Sequence, residues 1–166
     1  MKVRAFIGMG SNVGDRRAHC TEAQARLARL PETVLLRVSP LVETDPAEGV
    51  GGGPFLNGVA EVATALAPLE LLRALQTIED ALGRPPGHRP GTARTMDLDI
   101  LLYGDRIVRE AGLDIPHPRL ARRRFVLEPL AGLAPDVRHP VLDLSAADML
   151  RDLEAGRASR RASDAP

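Results

Sequence analysis

The sequence holds only four aromatic residues, Phe6, Phe55, Tyr103 and Phe125, and no tryptophan. So few aromatics count against the stacking platforms on which single-stranded nucleic acid is held. Zero net charge, from 22 acidic and 22 basic residues, lacks the basic footprint of a duplex binder. A single cysteine, Cys20, excludes an internal disulfide framework and fits a reducing, cytoplasmic setting. Cys20 falls in a helical pattern and reads as an inert packing residue. No apolar run approaches the roughly 20 residues that cross a bilayer. Met1 to Ile7 enters a strand pattern at once, without the apolar segment of a secretory signal. The expectation is a cytoplasmic protein with no membrane and no nucleic-acid partner.

What is present is ordinary globular material. With 166 residues, 44% of them hydrophobic and 27% charged, the chain is long enough for one domain with a real core. That domain is expected to span 1–155, followed by a solvated, disordered tail over 156–166. Arginines cluster at Arg119, Arg122, Arg123 and Arg124, and again at Arg157, Arg160 and Arg161. The first group is flanked by apolar sequence and is suited to gripping phosphates. The second belongs to the tail.

Hydrophobic periodicity places the elements. Val3 to Met9 reads as a buried strand and Arg16 to Leu30 as an amphipathic helix. Gly8 to Asp15 between them reads as a tight turn and helix cap, because it lacks both the Walker A lysine and the dinucleotide glycine spacing. Thr33 to Val38 and Leu41 to Thr44 are strands separated at Pro40. Pro46 to Pro54, with Gly51-Gly52-Gly53, is a mobile loop. Phe55 to Thr64 is a strand, and Pro68 to Leu82 a helix with Leu71, Leu72, Leu75 and Ile78 at helical spacing. Arg84 to Ala93, rich in proline and glycine, is a second long loop. A strand over Met96 to Tyr103 follows, and Arg106 to Val108 can close a hairpin. Phe125 to Leu133, which contains Pro129, and Leu144 to Leu153 read as helices. The order β-α-β-β-α-β followed by helices predicts an α+β, ferredoxin-like sandwich: a mainly antiparallel sheet with helices on one face.

The chemistry centres on Asp97-Leu98-Asp99. On a strand these two carboxylates share a face, with Leu101 and Tyr103 following them. Two like charges so close repel and lose hydration unless something offsets the cost. A hard divalent cation does so, most simply Mg²⁺ carrying nucleotide phosphates. The alternative is that one Asp pairs with Arg94 and the other is solvated at a strand end. Phe55 and Phe125 sit beside loops and polar groups, either as ordinary core residues or stacked around a flat ligand. Asn57 shares the strand face of Phe55 and offers donors and an acceptor to the edge of a heterocycle. Glu79, Arg94 and His117 complete the polar set, with a structural role open for the histidine.

Gly8 to Asp15, Thr44-Asp45-Pro46, Pro54 to Asn57, Gly83-Arg84, Arg94 to Gly104, Ile115 to Arg119 and Phe125 to Leu130 together resemble one family. It is the 6-hydroxymethyl-7,8-dihydropterin pyrophosphokinases of folate biosynthesis, and the resemblance covers about residues 3 to 140. It implies transfer of the β,γ-diphosphate of ATP to the pterin hydroxymethyl oxygen, leaving AMP. Asp97 and Asp99 would hold two Mg²⁺ ions, and Phe55 and Phe125 would sandwich the pterin. Asn57, with Thr44, Asp45 and Ala47, would read its polar edge. Gln76, Glu79, Ile100, His117 and Arg123 align with the ATP side, and Arg94 with a phosphate-gripping arginine of the catalytic set. A monomer closing its two long loops over ATP and the pterin is the implied form. The chain also departs from the family: Pro86, Gly91, Ala93 and Gly112 stand where many members carry arginine, tryptophan, proline and arginine. His88, Arg89, Arg109 and Arg119 are the nearby candidates to compensate. Two other classes remain open: a catalytically impaired pterin- or nucleotide-binding module, and an RNA binder using Arg119 to Arg124.

Overall fold

The first strand, β1 (Val3–Ser11), carries a strong apolar alternation, and the layers of the molecule follow from it. Ala5, Ile7 and Met9 are buried on one face, against Cys20, Ala23 and Leu27 of α1 (Arg16–Leu27) and against Leu71, Leu75 and Ile78 of a second helix. Phe6 points to the other face and joins a second core. The computed structural model describes residues 1–45, 51–83, 93 and 95–157.

After α1 come β2 (Thr33–Val38), β3 (Val42–Thr44), β4 (Phe55–Thr64), α2 (Pro68–Ala81) and β5 (Asp97–Tyr103). The sheet order is β2-β4-β1-β5, with β3 also on β4, and every pairing is antiparallel. β2 and β3 lie end to end along one side of β4, interrupted at Pro40. Ser39 bridges the gap: its backbone N–H donates to the Val59 carbonyl at 2.9 Å, and its hydroxyl accepts from Val59 N at 2.9 Å. Both backbone groups of Val59 are thereby paired at the break. Asp15 caps α1 by accepting from Ala18 N at 3.0 Å, and Pro68 opens α2 where a missing N–H costs nothing.

Beyond β5, a small hairpin joins β6 (Val108–Glu110) to β7 (Leu113–Ile115) through Gly112, whose φ of 81° suits the turn. A short 3₁₀ turn over Leu120–Arg122 leads into α3 (Arg124–Leu133). A second short ribbon, β8 (Arg138–His139) with β9 (Leu144–Ser145), leads into α4 (Ala146–Glu154). The ferredoxin-like α+β class is as expected, with one change. Helices cover both faces of the sheet: α1 and α2 on one, α3 and α4 on the other, where Leu127, Leu130 and Met149 pack on Phe6, Val59, Leu101 and Leu102. The sheet surface that an RNA-binding reading needs is therefore partly occupied by α3.

Three further expectations are corrected. Gly8 and Gly10 belong to β1 rather than to a turn, and the turn is confined to the residues around Gly14, with φ of 69°. Tyr103 does not share the face of Asp97 and Asp99. The register against β1 slips between Phe6 and Ile7, so that Phe6 faces Leu102 while Ile7 faces Ile100. Such an irregularity inverts the side-chain phase beyond it, and Tyr103 turns toward the α2 side and donates its hydroxyl to the Leu66 carbonyl at 2.7 Å. The hairpin after β5 starts at Val108 rather than running over Arg106 to Val108. The tail from 158 and most of the two predicted loops lie outside the described residues.

Candidate active site

Three strands carry the site in two rows. Cα pairing sets Asn57 of β4 opposite Gly10 of β1, and Gly10 opposite Asp97 of β5. One step along, Val59 faces Gly8, which faces Asp99. Adjacent strands are about 4.8 Å apart, so Asn57 and Asp97 stand roughly 10 Å apart across a strip of glycine. Side chains there would fill the strip. A Cβ on Gly10 would lie 3.0 Å from Asn57 Oδ1 and 3.5 Å from the Phe55 ring, and one on Gly8 would lie 3.3 Å from a Leu101 methyl. The result is a cleft of about 390 Å³ floored by Gly8, Met9 and Gly10.

One end of the cleft is shaped for a flat ligand. Asn57 is buried, and its amide donates to Thr44 Oγ1 at 2.7 Å, which leaves Oδ1 over Gly10 as an acceptor. Phe55 is half-buried and Phe125, on the first turn of α3, is 36% exposed, unusual for a phenylalanine in so aromatic-poor a chain. The Arg123 guanidinium stands 5.5 Å from the Phe125 ring centre. The segment entering β4 is held from the start of α1: Asn12 Nδ2 donates to the Gly51 carbonyl at 2.8 Å, and Arg16 donates to the Pro54 carbonyl at 2.6 Å while pairing with Glu43 at 2.7 Å.

The other end is charged. Asp97 and Asp99 are both half-buried, and His117 Nε2 lies 3.9 Å from Asp99 Oδ2. The backbone N–H of Arg119 donates to His117 Nδ1 at 3.1 Å, so the ring proton of the neutral imidazole sits on Nε2, on the Asp99 side. Burial, with Arg123 and Arg119 adding to it against Asp97 and Asp114, pushes the His117 pKa down to about 4. Among the described residues no cluster of three His, Cys, Asp or Glu side chains could by itself hold a metal. A carboxylate pair without further protein ligands fits Mg²⁺, which keeps waters and phosphate oxygens in its shell, and does not fit a closed zinc site.

Of the residues singled out in the sequence, Thr44, Asp45, Phe55, Asn57, Asp97, Asp99, His117, Arg123 and Phe125 line this one cleft. Gln76, Glu79 and Ile100 do not. Gln76 is exposed on α2, Glu79 is buried and accepts from Leu98 N at 2.7 Å, and Ile100 packs in the α1–α2 core. Ala47 and Arg94 lie outside the described residues, as do Pro86, His88, Arg89 and Gly91. Of the candidates for compensation that are described, Arg119 lines the cleft. Arg109 instead lines a separate depression of about 280 Å³ with His139 and Asp152. Gly8 and Gly10 are the cleft residues that sequence reasoning read only as part of a turn. Their signal was two glycines at alternate positions of a strand pattern, which marks a close approach to one face.

The sequence profile of the 7,8-dihydro-6-hydroxymethylpterin-pyrophosphokinase (HPPK) family matches residues 6–135. The chain belongs to the HPPK family. It is 47% identical to the 2-amino-4-hydroxy-6-hydroxymethyldihydropteridine pyrophosphokinase of Pseudomonas aeruginosa over 137 residues, covering 82% of this chain and 84% of that one. The Bacillus subtilis protein of the same name is 42% identical over 133 residues, covering 80% and 79%. The chain's HPPK architecture also recurs in a solved structure of Plasmodium falciparum HPPK-DHPS, with a TM-score of 0.75 at 14% identity. That match covers 96% of this chain and 45% of the longer one, and at its low identity it shows the fold alone.

Proposed function

We propose that this HPPK-family chain transfers the diphosphate of ATP to 6-hydroxymethyl-7,8-dihydropterin, giving AMP and the pterin diphosphate. The observation that carries this reading is the row Asn57, Gly10, Asp97. It joins an acceptor suited to a heterocycle's edge to a carboxylate pair roughly 10 Å away, the reach of a bicyclic ring with a one-carbon arm. The ring would lie between Phe55 and Phe125 over Gly10. Asn57 Oδ1 and groups of Thr44, Asp45 and Ala47 would read its polar edge, and its hydroxymethyl arm would point along the strip toward Asp97.

Chemically the reaction asks for positioning and charge neutralisation rather than a protein nucleophile. The hydroxymethyl oxygen bonds to the β-phosphorus, the bond from that phosphorus to the α,β-bridging oxygen breaks, AMP departs and the hydroxyl proton is released. Asp97 and Asp99 would hold two Mg²⁺ ions, which when bound neutralise the phosphates and orient them. Arg94 and Arg123 would grip phosphate oxygens, and a neutral His117 would donate from Nε2 without adding charge. β5 is an edge strand among the described residues, and those of its outer backbone groups that Glu79 and His117 N do not take are available to a ligand. Leu98 N already meets Glu79 there, and Ile100 lies two residues on in the same phase. The nucleotide's base would occupy that edge beside Gln76, Glu79 and the Ile100 backbone, and its phosphates would cross to the aspartate face. We take the unit to be one domain over 1–155, acting as a monomer.

AMP release from ATP and Mg²⁺, measured with and without the pterin, tests the reading. It is expected to depend on the pterin and to vanish in Asp97→Ala and Asp99→Ala. Substrate binding without AMP in the folded wild type would replace it with a binding-module role.

A further inference from the structure

We propose that Arg119 is a phosphate-binding residue of this reaction, reaching the ATP polyphosphate from the Pro-His-Pro segment opposite the aspartate pair. This rests on the functional reading above. Arg119 lines the cleft together with Asp97, Asp99, His117 and Arg123. Its guanidinium has no carboxylate within ion-pair distance among the described residues, whereas Arg124 on the same stretch is taken up by Glu128 and Glu154. A guanidinium with no carboxylate partner, lining the same cleft as two carboxylates, suits an anion that comes between them, and its planar fork matches phosphate oxygens.

The backbone carrying this side chain is anchored while the side chain is not. Arg119 N donates to His117 Nδ1, Leu120 N donates to the His117 carbonyl at 3.0 Å and Arg122 N to the Arg119 carbonyl at 3.1 Å. Leu120 is fully buried beneath the turn. The charge is thus presented from a rigid base, so little freedom beyond the side chain's own is lost on binding. Replacing the side chain leaves the N–H that orients His117 in place, which separates phosphate binding from imidazole positioning. Arg122, three residues along, is also exposed but lines the other depression, and serves as the control.

The test is calorimetric binding of α,β-methylene-ATP with Mg²⁺ to wild type, Arg119→Gln, Arg119→Lys and Arg122→Gln, alongside kcat and KM for both substrates. Arg119→Gln is expected to weaken nucleotide binding by about 10- to 100-fold, with Arg119→Lys recovering part of it, the KM for pterin unchanged and the melting temperature preserved. Affinity within twofold of wild type in Arg119→Gln, or an equal loss in Arg122→Gln, overturns the proposal. If wild type binds the analogue but makes no AMP, the functional reading fails while the binding comparison still decides Arg119. If wild type does not bind the analogue, both fall.

Discussion

Gly10→Ala separates the site from the fold more sharply than any other single change. Gly10 sits inside β1 and is not among the glycines with positive φ, so alanine meets no backbone strain. By chain entropy alone, alanine in a strand interior is better than glycine by about 0.5–1 kcal/mol. The new methyl, however, would lie 3.0 Å from Asn57 Oδ1 and 3.5 Å from the Phe55 ring. Asn57 must move by a few tenths of an ångström, which disturbs its 2.7 Å bond to Thr44 and shifts the acceptor out of place. These two effects oppose each other, and global stability is expected to stay within about 1 kcal/mol of wild type. Pterin binding has no such compensation. A mispaired buried hydrogen bond costs about 1–3 kcal/mol, or roughly 5- to 150-fold in pterin Kd. Affinity for the nucleotide analogue, whose phosphates lie at the other end of the strip, is expected to be unchanged. Calorimetry with each ligand and a urea melt read all three quantities. Wild-type pterin affinity in Gly10→Ala would refute the glycine floor, and so would a global destabilisation above about 2 kcal/mol.

Phe125→Ala removes a side chain that is 36% exposed; stability is expected to fall by about 1–2 kcal/mol while pterin affinity drops about 5- to 100-fold through lost stacking, measured by melting and by calorimetry. His117 is expected to titrate near pH 4 in the ligand-free protein, followed by its ring proton resonances, because burial and the neighbouring arginines favour the neutral form. Since its folded pKa lies below the unfolded value, its contribution to stability is present above about pH 6.5 and is lost as pH falls toward 4; a midpoint near 6.5 would contradict the placement. Glu61 is buried between Arg4 and Arg37; burial alone would raise its pKa, but the two arginines outweigh it and hold the carboxyl below its usual range. Glu61→Gln is expected to cost about 1–3 kcal/mol at pH 7, with the penalty shrinking as pH falls through the carboxylate's folded pKa, while AMP formation persists because Glu61 lies away from the cleft.

Much of the fold was legible because the strands and helices announce themselves locally. Alternation in Val3 to Met9, the leucine spacing of Pro68 to Leu82 and the Pro40 break need no partner to be read. The layering was not. Nothing in Phe125 to Leu133 says which face of the sheet its apolar stripe will cover, and the structure puts it opposite α1 and α2. The phase of Tyr103 depended on a slip between Phe6 and Ile7, which is a property of the pair of strands rather than of either one. His139 shows the same limit. It is buried, with Nδ1 accepting from Val141 N and Leu142 N, in a ribbon too short for any periodicity to show.

The sequence by itself pointed to a set of polar and aromatic candidates and determined, where two of them share a strand, that they share a face: Asp97 with Asp99, and Phe55 with Asn57. Period-two alternation is a local rule, so it holds before any partner strand is known. Only the tertiary structure decided that β1 lies between those two strands, with Gly8 and Gly10 as the bare strip joining an amide acceptor to a carboxylate pair. Only it separated Arg119, in the cleft, from Arg109 and Arg122, which line a different depression. Strand order and register arise from contacts between residues up to about a hundred positions apart, such as Ala5 with Tyr103, and such contacts leave no periodicity in the chain to be read.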